Sequence, residues 1–168
     1  MDGWSIIETI RIAVQGRAEA TRQAYPSWPC RLGCDDCCRS LAKLPELNPL
    51  EWREVERGVA ELPAPVREAV EQRITAAAGR ADTGPYVCPF LDPAAGACLI
   101  YAHRPVACRT YGYYVDSRGV GLYCDEIRQR EEGGEFAAAV WGNQDAVEAR
   151  LDALGPRVSF AVWAQSRG

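Results

Sequence analysis

The chemistry available to this chain lies in eight cysteines. Four fall within nine positions, Cys30, Cys34, Cys37 and Cys38, in the run Cys-Arg-Leu-Gly-Cys-Asp-Asp-Cys-Cys. Four more follow downstream, at Cys88, Cys98, Cys108 and Cys124. A thiolate is a soft, negatively charged ligand that suits zinc and iron–sulfur clusters. All eight are therefore candidate metal ligands, with the 30–38 loop and the 88–124 segment brought together by the rest of the chain. Cys34 and Cys37 form the only Cys-x-x-Cys pair, the usual knuckle of a zinc site. Cys37 and Cys38 are adjacent, and in extended backbone successive side chains point apart. Such a pair suits different atoms of a multi-iron cluster better than one zinc ion. The expected cofactor is thus an iron–sulfur cluster, of the 4Fe-4S type, with zinc as the alternative.

The neighbours of the cysteines sharpen this reading. Arg31, Arg39, Arg104 and Arg109 can offset the negative charge of a thiolate centre. Asp35 and Asp36 oppose that compensation and are expected to face solvent. His103 is the only histidine, and a structural role is expected for it before ligation. Tyr101, Tyr111, Tyr113 and Tyr114 are expected to pack around the site. No Ser–His–Asp arrangement, phosphate loop or paired-carboxylate signature is present, so the residues show a metal centre and no reaction.

Composition sets the frame. The chain has 168 residues, 48% hydrophobic and 25% charged, with a net charge of −4. That is a single soluble domain with an ordinary core, and no basic face speaks for nucleic acid. Met1-Asp2-Gly3-Trp4 lacks a basic n-region, no unbroken apolar stretch follows, and the run Phe136 to Trp141 is too short to span a bilayer. The expectation is a cytoplasmic protein without membrane or nucleic-acid partners, open to a protein partner or protein substrate. In that compartment eight thiols read as metal or redox chemistry, not as disulfides.

The elements that position the cysteines are mainly helical. Ser5-Ile6-Ile7-Glu8 reads as a capping box, followed by Ile7, Ile10, Val14 and Ala18 at helical spacing and an end before Pro26. Asn48-Pro49-Leu50-Glu51 is a second helix start, with Trp52, Val55, Val59 and Leu62 as its stripe. Pro63-Ala64-Pro65 separates it from a third helix reaching Ala78, with Val66, Val70, Ile74 and Ala77 on one face. The 80–85 stretch is a polar linker. Pro105 opens a helical turn carrying Cys108. Tyr113–Val115 and Val120–Tyr123 read as a hairpin about Asp116–Gly119, returning Cys124 towards Cys108. Helices at 125–132 and 144–154 follow, the second capped by Asn143; the apolar tail from Val158 to Trp163 has no assignment. The fold class is mainly α (α+β), with one short β-hairpin beside the centre.

The cysteine run, together with Cys88-Pro89-Phe90-Leu91, Cys98-Leu99-Ile100-Tyr101 and Arg104-Pro105-Val106-Ala107-Cys108-Arg109-Thr110-Tyr111, resembles the YkgJ-type cysteine-cluster family, the CxxCxxCC zinc- or iron-chelating domain. The resemblance spans Cys30 to about Cys124 and departs in one place, where three residues separate Cys30 from Cys34. It implies metal binding. Flagellin lysine-N-methylases resemble the same domain, which implies as an alternative an S-adenosylmethionine-dependent, protein-modifying enzyme. The spacing of Cys30, Cys34 and Cys37 also looks like the radical S-adenosylmethionine motif, but the alternating strands and helices that those enzymes need are lacking. A third reading, a metal chaperone or sensor, follows from having more thiols than one site requires.

Overall fold

The first helix shows how far local pattern decides this fold. In the computed structural model, which describes residues 3–80 and 84–167, α1 runs Gly3–Ala24 and buries Ile7, Ile10, Val14 and Ala18. The buried stripe is the one the spacing predicts. Its start differs: the helix begins ahead of Ser5, so Ser5 lies inside the first turns and accepts from the Thr9 hydroxyl through its carbonyl oxygen instead of capping the end. Residues 81–83 of the polar linker lie outside the described residues.

The chain divides into two compact units. The first comprises residues 1–32 and 106–154, the second 33–105 and 155–168. One of the dividing points falls inside the cysteine loop, between Leu32 and Gly33.

In the first unit α1 packs with the short helix α5 (Val106–Thr110), which carries Cys108. Helices α6 (Asp125–Glu132) and α7 (Gln144–Asp152) complete it. Asn143 caps α7 by accepting from the Ala146 amide, as the sequence predicts. The core is aromatic: Trp28 lies 4.3 Å from Phe136 by ring centroids and stacks on Tyr113. The predicted hairpin at 113–123 is reduced to a single bridge between Val115 and Gly121. Strand β4 (Tyr114–Val115) pairs instead, in parallel, with β5 (Gly142–Asn143). The reason is at Gly142, where a Cβ would lie 2.3 Å from the Tyr114 ring. Only a bare backbone lets the later segment approach that close.

The second unit is built on α3 (Pro49–Ala60) and α4 (Ala64–Ala78). Asn48 caps α3, its side-chain oxygen accepting from the amides of Leu50 and Glu51. Trp52, Val55, Val59, Val70 and Ile74 form the core. The tail left unassigned by pattern has two jobs here. Its β6 (Val158–Ser159) pairs antiparallel with β1 (Glu46–Leu47), and α8 (Phe160–Gln165) seats Trp163 flat on Trp52 at 4.2 Å. A two-residue strand followed by six helical residues is too brief for any periodicity to show.

The hairpin that bears on the cysteines is also in this unit. Strands β2 (Leu91–Asp92) and β3 (Ala97–Cys98) pair antiparallel. Asp92 Oδ1 accepts from the amides of Ala94 and Ala95, and Gly96 takes a φ of +61° to close the loop. Side-chain capping of this kind is what Asp contributes to a turn. Among the described residues no helix is long and apolar enough to cross a membrane.

Candidate metal centre

Two sequence-distant sulfur groups meet within the second unit. Cys37 and Cys38 sit in the single-turn helix α2 (Asp36–Arg39). Their Sγ atoms are 3.9 Å apart and share a hydrogen bond. The backbone is helical here, not extended, which removes the reason for expecting the two side chains to point apart. The Cys88 amide donates to the Cys38 carbonyl at 2.7 Å, continuing a bridge between Leu41 and Tyr86. That backbone contact sets the Cys88 thiol against the Cys38 thiol, and β3 delivers Cys98 into the same neighbourhood. All four thiols are half-buried.

Their electrostatics record the crowding. The Cys37 thiol is pushed far up, first by its hydrogen bond to Cys38 and then by burial, against the opposing pull of Arg104. Cys38 is lowered by its bond to Cys37, but the Cys88 thiol, burial and the charges of Cys88 and Cys98 outweigh this and carry it to about 12. Thiols crowded in this way ionise together only where a cation joins them. None of the eight cysteines is in a disulfide.

Cys34 belongs to the same unit and is half-buried, one residue after Gly33, whose φ of +89° turns the loop into α2. The other three cysteines belong to the first unit. Cys30 Sγ donates to the Tyr111 carbonyl at 3.6 Å, and the Tyr113 hydroxyl donates to the Cys30 carbonyl while accepting from Arg22 at 2.9 Å. Burial, with the charge of Cys30 next, pushes the Tyr113 hydroxyl up to about 12. Gly112, at φ +81°, gives Cys30 its room: a Cβ there would lie 3.0 Å from the Cys30 Cβ. Cys124 packs beside the aromatic core at the start of α6, and Cys108 is exposed on α5.

The profile of the CxxCxxCC family, described as "Putative zinc- or iron-chelating domain", matches residues 29–133, well over half of the chain. The chain belongs to the CxxCxxCC family. No curated protein and no solved structure matches it. A family described as metal-chelating and eight cysteines in the matching chain together support a metal-binding role.

The CxxCxxCC chain answers the question of fit in kind more than in finished geometry. The donors gathered in the second unit are thiols, the ligands that zinc and iron prefer. Among the described residues no three His, Cys, Asp or Glu side chains are closed around one point. Two ligands of one ion with bonds of about 2.3 Å stand at a tetrahedral edge of about 3.8 Å. The Cys37–Cys38 separation of 3.9 Å already has that length.

The residues around the thiols sort themselves. Asp35, expected in solvent, is largely buried and pairs with Arg39 at 2.5 Å, which occupies that guanidinium. Asp36 and Arg31 are exposed. His103 is buried between two carboxylates, Nδ1 at 3.4 Å from Glu54 and Nε2 at 2.9 Å from Glu61. With both ring nitrogens so engaged, neither lone pair is available to a metal. Sequence reasoning did not single out Glu54 and Glu61. Their seven-residue separation, with Gly58 between them, places all three on one helical face and is the signal that would have found them.

Proposed function

We propose that the second unit of this chain holds one metal ion through the thiolates of Cys37, Cys38, Cys88 and Cys98, as a closed structural centre with zinc as its preferred occupant. The observation that carries this reading is the Cys37–Cys38 pair, separated by a tetrahedral edge, with Cys88 bound to it through the Cys38 carbonyl. Bound zinc would neutralise two of four negative charges and fix α2 to the β2–β3 hairpin. Four protein ligands leave no open coordination position, which suits a structural site and not a catalytic one. A 4Fe-4S cluster fits the spacing less well, because its four ligands sit on four different irons and stand farther apart than two ligands of one ion.

The test is metal analysis of the full chain purified anaerobically under reducing conditions. The reading expects about one zinc per chain and no visible colour. Cys38→Ser and Cys88→Ser should lose the metal, whereas Cys108→Ser in the first unit should keep it. Brown protein with acid-labile sulfide, or metal lost only with the first-unit cysteines, overturns it.

A second reading, a metal carrier, draws on Cys34, which gives the second unit a fifth thiol. Carriers pass metal by ligand exchange, for which an extra thiolate is useful. Transfer to a chelator within minutes favours it; metal retained until the fold melts favours the fixed centre.

A further inference from the structure

Two of the second unit's thiols are joined by more than proximity. The segments that carry Cys38 and Cys88 run against each other. Leu41 and Tyr86 exchange backbone hydrogen bonds of 2.8 Å in each direction, and the Cys88 amide donates to the Cys38 carbonyl at 2.7 Å. That last bond limits how far apart the two residues can stand. An amide nitrogen lies about 1.5 Å from its own Cα, and a carbonyl oxygen about 2.4 Å from its own. The Cys38 and Cys88 Cα atoms are therefore at most about 6.6 Å apart, inside the range of about 4.4–6.8 Å that a disulfide spans. The side chains point the right way as well, since the two thiols are hydrogen-bonded to each other. Cys37 is a poorer bridging partner for Cys38, although their Sγ atoms are 3.9 Å apart. Adjacent Cα atoms across a trans peptide stand about 3.8 Å apart, short of the disulfide range, and a ring closed there would distort the helical turn of α2.

We propose that Cys38 and Cys88 are a redox couple built into the thiol centre: a low-molecular-weight disulfide oxidises them to a Cys38–Cys88 disulfide, and the centre then gives up its divalent metal ion. The inference rests on the metal-binding reading above and adds its regulation. The exchange balances with no other reactant. One thiolate of the pair attacks a sulfur of the small disulfide, which forms a mixed disulfide and expels half of the oxidant as a thiolate. The other protein thiolate attacks the protein sulfur of that mixed disulfide, and the second half of the oxidant leaves as a thiolate. Two electrons pass from the pair to the oxidant, one protein S–S bond replaces the one broken, and no proton is gained or lost overall. Both residues are half-buried, within reach of a small oxidant. A bridged sulfur carries no negative charge, and thiol ligands bind metal as thiolates. Oxidation thus leaves the proposed centre with Cys37 and Cys98 alone. The backbone pairing is already in place, so the bridge closes without moving the chain, and reduction returns both ligands to where they were.

The experiment treats the full-length, zinc-loaded protein with oxidised glutathione, with reduced glutathione as the control, and follows released zinc with a chromophoric chelator. Zinc should leave in proportion to the disulfide formed, about one ion per bridge, and stay in place in the control. After the remaining thiols are alkylated, peptide mass spectrometry with fragmentation between Cys37 and Cys38 should find Cys38 joined to Cys88. A dithiol reductant should then restore zinc binding. A bridge between other cysteines, a mixed disulfide that persists, no cross-link at all, or a Cys38–Cys88 bridge with zinc retained overturns the proposal and leaves the metal centre standing. So does equal release by reduced glutathione, which would assign the loss to ligand exchange. Protein that neither holds zinc as purified nor takes it up overturns the metal reading itself, and this proposal with it.

Discussion

Gly58 and Gly16 are both helical glycines, and replacing each with alanine should shift stability in opposite directions. Either substitution gains about 1 kcal/mol of intrinsic helix propensity. At Gly16, in α1, a Cβ would meet nothing within 4 Å, so the gain is realised. At Gly58, in α3, the same atom would lie 2.8 Å from the His103 Cβ, 3.0 Å from its Cγ and 3.0 Å from the Ile100 Cβ. These are not the free ends of flexible side chains. Ile100 is buried and the His103 ring is held on both nitrogens, so relief requires the 3₁₀ turn η1 (Tyr101–His103) to move away from α3. Overpacking of that kind costs about 1–3 kcal/mol, and the rigidity of the obstructing atoms places it in the upper part of the range. The balance is a loss of about 1–2 kcal/mol, or a fall in Tm of roughly 2–8 °C at 2–4 °C per kcal/mol for a chain of this size. Thermal denaturation followed by circular dichroism, with metal content matched, measures both variants. Gly16→Ala should melt above wild type and Gly58→Ala below it. A Gly58→Ala protein that melts at or above wild type would refute the close packing of η1 on α3.

Other consequences follow from the same unit. The His103 ring, by its hydrogen bond above all, holds the Glu61 carboxyl below its ordinary value of 4.5. A depressed carboxyl stabilises the fold above its unfolded pKa and loses that contribution as pH falls through the folded one. The difference in Tm between wild type and Glu61→Gln should therefore be largest near neutrality and shrink below pH 4.5; a constant difference contradicts the contact. Asn48→Ala should cost about 1 kcal/mol through the lost cap of α3, read from denaturant unfolding. Asn48→Asp should fail to restore it at neutral pH, because Asn48 Nδ2 donates to buried Glu51 at 3.0 Å and a carboxylate there would face a like charge. Full rescue by Asp would mean that this donor bond contributes nothing.

What could be read from sequence divides by the range of the interaction responsible. The cap at Asn48 and the stripe Ile7, Ile10, Val14, Ala18 are local, and both stand as the pattern predicts. The start of α1 differs from the pattern because Ser5 and Glu8 match a capping box equally well inside a helix. The 113–123 hairpin had a sound turn at Asp116, yet Tyr114 pairs with Gly142, a partner no local signal names. The hairpin that carries Cys98 was hidden in a Pro/Gly loop whose closure depends on Asp92 and on the positive φ of Gly96. For the proposed site, the candidate cysteines are legible by type and spacing. That Cys37 and Cys38 turn towards each other was not, since it follows from one turn of helix too short to show a period. Nor was the partition of the thiols between two units, which depends on contacts between residues far apart in sequence.

X-ray absorption at the metal edge of the purified, reduced full-length protein tests the central claim most directly. The account predicts one zinc environment with a first shell of four sulfurs at about 2.3 Å, no nitrogen or oxygen shell, and no metal–metal scattering. A second metal in the outer shell, as an iron–sulfur cluster would give, or a first shell dominated by nitrogen and oxygen, would contradict it.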